Sequence, residues 1–159
     1  MGTCGSGPND GDQALNKTFT LQEAQTLLPV VEALLLRARA ASARAGELET
    51  EMQELSQRIF MSGGMHVNVS QTAKRRAEHE KALQEARDTL AEMDEIGVQV
   101  KDLEKGLLDF PSVMDGRDVL LCWMLGEKEI GFWHTLEDGF AGRKPLDGRF
   151  GKTEKDRPN

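Results

Sequence analysis

The chain has 159 residues, enough for one ordinary domain or a small module with an extended helical element, and too few for two large cores. Hydrophobic residues make up 38%, charged residues 30% and aromatics only 5%, which suits helices with much surface and little deep core and argues against a large enzyme interior. A net charge of −7 opposes binding to nucleic acid, where affinity rests on Lys and Arg neutralising phosphates.

Cys4 and Cys122 have no CxxC spacing and form no disulfide framework, so a reducing, cytoplasmic compartment is expected. No stretch approaches the roughly 20 apolar residues that cross a bilayer, and no basic segment followed by an apolar one opens the chain. Neither membrane insertion nor secretion is expected. Met1-Gly2-Thr3-Cys4-Gly5-Ser6 matches the myristoylation pattern beside a palmitoylatable cysteine, but so short a pattern often arises by chance.

Residues 1–17 are rich in Gly, Asn, Asp and Ser without apolar periodicity and are expected to form a disordered tail. Thr20-Leu21-Gln22-Glu23 reads as a capping box that opens a helix with Thr20 as N-cap. From Ala24 to Ile59, apolar residues recur at alternating steps of three and four, a coiled-coil-like seam whose middle is Ala38, Ala41 and Ala45. Leu28 and Leu35 widen its first part, and Pro29 within it predicts a kink or restart. Ser62-Gly63-Gly64 ends the run, and a second helix is expected from near Ser70 to Ile96, stopped by Gly97. Together these predict a long antiparallel hairpin over 18–100.

Helix one would be about 60 Å long and helix two about 40 Å, so the segment from Leu21 to about Leu34 overhangs and needs a cover. Residues 101–146 supply it as a β-rich module. Strand-like runs at Leu107 to Phe110, Val119 to Leu125 and Ile130 to His134 predict a three-stranded antiparallel meander, making the fold α+β. A two-residue loop at Gly126-Glu127 sets Leu125 opposite Lys128 and Val119 opposite His134. One face then collects Val119, Leu121, Trp123, Ile130 and Phe132, with His134 at its end, and the other Leu120, Cys122, Met124 and Trp133. Residues 147–159 are expected to be a disordered charged tail.

The stretches Phe19-Thr20-Leu21, Leu27-Leu28-Pro29, Gly97-Val98 to Lys101-Asp102, Asp109-Phe110-Pro111, Asp115-Gly116-Arg117, Leu121-Cys122-Trp123 and Trp133-His134 through Gly139-Phe140-Ala141-Gly142-Arg143 carry a resemblance. They resemble an uncharacterised prokaryotic family, domain of unknown function 2203, over residues 19 to about 146. The resemblance implies a prokaryotic cytoplasmic setting, which counts against lipidation, and brings no activity or catalytic residue with it.

Asp109, Cys122, Glu127, His134 and Asp138 are the residue types that bind zinc or a similar ion. The expected register separates them: Glu127 lies about 23 Å from His134 along the strand, and Cys122 and His134 point to opposite faces. A tighter set gathers at the His134 end, where Asp118 in the first turn and the loop from Asp138 to Arg143 meet. His134, Asp118, Asp138 and Arg143 are the candidate ligand-binding residues, with His134 and Asp138 as candidate ligands for a divalent metal. The plainer reading makes His134 a structural hydrogen-bonder and Cys122, Trp123 and Trp133 core. Arg75, Arg76 and His79 read as a solvated face, and Met61, Met65 and His66 as a weak soft-metal alternative in the hairpin loop.

The apolar surface exceeds what one thin module covers, so the expected function is a homo-oligomeric, homodimeric interaction or scaffold protein. The alternative is a metal- or small-anion-binding protein using the His134 end. Catalysis is not expected, since no nucleophile motif, phosphate loop or metal helix motif is present.

Overall fold

The computed structural model describes residues 17–63 and 68–150. The lipidation pattern, most of the N-terminal tail, Met65, His66 and the last nine residues lie outside them. Two helices, α1 (Leu21–Met61) and α2 (Val69–Ile96), are followed by five strands: β1 (Gln99–Asp102), β2 (Leu107–Met114), β3 (Arg117–Met124), β4 (Phe132–Thr135) and β5 (Lys144–Pro145). The fold is α+β. Among the described residues no helix is long and apolar enough to cross a membrane. The chain divides into two compact units: Leu34–Ala91, and the residues before and after it.

The start of α1 is the expected capping box, with Thr20 N–H donating to Glu23 Oε1 at 2.8 Å and Glu23 N–H to Thr20 Oγ1 at 3.1 Å. The helix runs through Pro29 as one element, so the expected restart does not occur. Asn68 caps α2, its Oδ1 accepting from Gln71 N–H at 3.0 Å. At the other end Gly97 has φ +107°, and a Cβ there would lie 3.0 Å from Lys17 Cδ and 3.2 Å from Phe19 Cζ. Backbone geometry and space both call for glycine at this helix end.

In the Leu34–Ala91 unit the two helices pack antiparallel, cross-linked by Arg44–Glu78 at 3.3 Å and by Arg75–Glu51. The alanine seam is buried: Ala38, Ala41, Ala45 and Leu48 on α1, Ala82 and Ala86 on α2. Small side chains here let the backbones approach. Ala41→Leu is therefore expected to force the helices apart and cost about 1 to 3 kcal/mol in urea unfolding, whereas an alanine on an open face would tolerate the change.

In the other unit the sheet is an antiparallel meander of five strands in the order β1-β2-β3-β4-β5, which corrects the expected three. The two extra strands are short edges, Gln99-Val100-Lys101-Asp102 and Lys144-Pro145, with no apolar run to mark them. Between β2 and β3, Asp115 at φ 51° and Gly116 at φ 77° form the tight turn that a twisted hairpin favours. Pro111 sits inside β2 without harm. Its carbonyl accepts from Phe19 N–H at 2.7 Å, so the side on which it lacks a donor faces the α1 entry rather than β3.

The larger correction is register. His134 pairs with Leu120 and Thr135 with Val119, one residue away from the expected alignment. Residues 125–131 form a loop because polar groups claim their backbone. Glu127 N–H donates to Met124 O, its Oε1 accepts from Met124 N–H, and its carbonyl accepts from Trp123 Nε1–H. Farther on, the Gln25 amide takes both the N–H and the C=O of Ile130. A strand cannot begin at Lys128, and β4 starts at Phe132.

This pairing sorts the faces anew. Leu108, Phe110, Val119, Leu121, Trp123 and Trp133 share one face, all buried. The α1 entry packs there, with the Phe19 ring edge-on to Phe110 at 5.7 Å. Leu21, Ala24, Leu28 and Val31 are buried in the same unit, the cover expected for the overhang. Asp109, Pro111, Leu120, Cys122, Phe132 and His134 share the opposite face.

Candidate functional site

Three neighbouring strands of that second face each contribute one residue with a ligating side chain. Asp109 on β2 is directly opposite Cys122 on β3, and His134 on β4 lies diagonal to Cys122 through its own partner Leu120. One ligand atom from each, a carboxylate oxygen, Sγ and a ring nitrogen, lie within 4.8 Å of one another. Asp109 is 2% exposed, Cys122 0% and His134 3%.

Hydrogen bonding fixes the imidazole. Nδ1 is 2.9 Å from the Thr135 carbonyl, and Nε2 is 3.1 Å from both Asp109 oxygens. A carbonyl can only accept, so Nδ1 carries the hydrogen. In a neutral ring Nε2 is then a lone pair aimed at a carboxylate, two acceptors face to face. The contact is favourable only with a proton or a metal ion between them.

Burial pushes the Cys122 thiol from an ordinary 9.0 up to about 12, with the negative charge of Asp109 as the second cause. A thiol kept protonated by burial is a poor nucleophile at pH 8. Iodoacetamide at that pH is expected to leave Cys122 unmodified in folded protein and to label it in urea; mass spectrometry of the peptide distinguishes the two. Rapid labelling of the native protein would mean that the β-sheet face is open.

The residues expected at the site separate. Asp118 is exposed near the start of β3, opposite Val113. Asp138 is also exposed, its N–H donating to Thr135 Oγ1 at 3.1 Å, and Gly142 closes tightly on its side chain, a Cβ there falling 2.7 Å from Asp138 Cβ. Neither is a partner of the His134 ring, whose nitrogens face Asp109 and Thr135. Arg143 instead pairs with Glu127 at 2.6 Å and stacks over Phe132, 3.8 Å from the ring centroid, with Phe140 at 4.8 Å. Of the expected set only His134 belongs to the cluster. Asp109 and Cys122 join it because a loop rather than a two-residue turn follows Met124, which shifts the register by one residue and turns His134 to the Cys122 face.

A helical hairpin and a five-stranded antiparallel sheet carrying a buried Asp-Cys-His cluster define the molecule. The chain belongs to the family described as Uncharacterized conserved protein (DUF2203), which it matches over residues 17–146. No curated protein and no solved structure matches it.

Proposed function

We propose that this protein binds a divalent transition-metal ion, zinc foremost, through an Asp109 carboxylate oxygen, Cys122 Sγ and His134 Nε2. The observation that carries this reading is the orientation of His134: Nδ1 is tied to a backbone carbonyl and Nε2 is turned toward a carboxylate, the arrangement of a metal-binding histidine and its supporting bond. The spacing agrees. Tetrahedral zinc with nitrogen and oxygen ligands at about 2.0 to 2.2 Å holds them about 3.4 Å apart, close to the 3.1 Å between Nε2 and the Asp109 oxygens. Carboxylate, thiolate and imidazole are all zinc donors, and three protein ligands leave a fourth position for water or another small ligand. A reducing cytoplasm, where a free thiol persists, suits the reading.

Cobalt(II) titration of chelator-treated protein tests it. One equivalent is expected to bind and to give a thiolate-to-cobalt charge-transfer band that Cys122→Ser removes while leaving the fold intact. Wild-type protein that takes up neither cobalt nor zinc in stoichiometric amount would overturn the proposal. The small-anion alternative loses support because Arg143 is already held by Glu127.

The homodimeric scaffold is a second reading, favoured by large apolar side chains left in solvent in the unit that holds the sheet: Val30 at 54%, Leu136 at 56% and Val113 at 48% exposure. Sedimentation at tens of micromolar checks it, since a species of only 17.6 kDa would end it.

A further inference from the structure

The hairpin end of the Leu34–Ala91 unit departs from the rest of the chain in two respects. Phe60, Met61 and Val69, at the facing ends of α1 and α2, are 85%, 78% and 73% exposed, the most exposed large apolar side chains among the described residues. Just below them Met52, Leu55 and Ile59 are only partly covered, in a groove rimmed by Arg75 and Arg76. Charge separates in the same place. From Leu55 to Ala77 the sequence has no Asp or Glu and carries Arg58, Lys74 and Arg76 besides Arg75, which is paired with Glu51, so a chain of net charge −7 presents a locally cationic end.

We infer that this end of the hairpin is a peripheral docking surface for an anionic lipid bilayer. Phe60, Met61 and Val69 enter the interfacial layer, and Arg58, Lys74 and Arg76, all exposed, face the lipid phosphates. Apolar tip and cationic collar are the two components of reversible membrane binding, and each alone is weak. The partner must combine negative charge with an apolar interior. A nucleic acid offers the charge, but Met61 and Val69 have no ring to stack on bases, and only Phe60 does. A second copy of this chain offers acidic surface, yet the hydrocarbon layer is what three solvated apolar side chains at a narrow end fit best. The contact is peripheral, in keeping with the lack of a spanning helix among the described residues.

Co-sedimentation of the full chain with vesicles tests this. Vesicles of phosphatidylglycerol and phosphatidylcholine are expected to bind it, and vesicles of phosphatidylcholine alone are not. The Phe60→Ser/Met61→Ser variant, altered only at exposed positions, should keep the wild-type melting temperature and lose binding by about tenfold or more. Replacing Arg58, Lys74 and Arg76 together by Ser should weaken it by about a hundredfold, as should high salt for the wild type. No binding to anionic vesicles, equal binding to neutral ones, or unchanged binding by both variants would overturn the inference. So would a wild-type oligomer that the Phe60/Met61 variant dissolves, since the tip would then be a contact between copies.

Discussion

His134→Ala is expected to lower the unfolding free energy of metal-free protein by about 3 to 5 kcal/mol, the usual cost of removing one partner from a buried charged pair. With side-chain exposures of 4% for His134 and 3% for Asp109, the carboxylate is buried and would face a cavity in place of the ring. Asp109 would also lose both contacts to Nε2 while keeping the thiol of Cys122 beside it. Replacing both partners, as Asp109→Leu/His134→Leu, should recover most of the loss, because an apolar pair of similar volume leaves no stranded charge. Urea unfolding of the wild type, the double variant and its two constituents, Asp109→Leu and His134→Leu, closes a double-mutant cycle. A single-variant loss below about 1 kcal/mol would mean that the contact between the two side chains contributes little, and the pairing argument would fail.

The parts of this fold that could be read from the sequence are those fixed by local chemistry. Thr20 and Glu23 cap α1 because a hydroxyl and a carboxylate three residues apart satisfy each other's backbone, whatever the tertiary context. Gly97 ends α2 because no other residue suits its backbone, and the alanine seam is buried because its spacing matches a helix. Strand register was not legible. It depends on Glu127 folding back on Met124 and on Gln25, 105 residues away, holding Ile130, contacts that no pattern of apolar residues encodes. The error was a single residue, and in a strand one residue exchanges the faces. His134 thereby moved from the Trp123 face to the Cys122 face, and Asp138 gave way to Asp109. The chemical types in the site were visible in the sequence; their juxtaposition was a property of one loop.

If the Asp109, Cys122 and His134 set holds zinc, adding the ion must stabilise the sheet unit, because the donors converge only in the folded chain. Free zinc at a hundred times its dissociation constant should add about 2.7 kcal/mol to the unfolding free energy, and more as the concentration rises. Differential scanning calorimetry with and without zinc, in protein freed of metal, reads this as an upward shift in melting temperature. Cys122→Ser should shorten the shift while leaving the metal-free transition nearly in place, since Ser retains a donor toward Asp109 and nearly the same volume. His134→Ala should start lower and gain nothing. That contrast separates the two states the imidazole geometry permits. An Asp109–His134 pair joined only by a proton predicts the same loss on mutation but no response to zinc in any variant, whereas a metal centre predicts a response that each of the three donors controls.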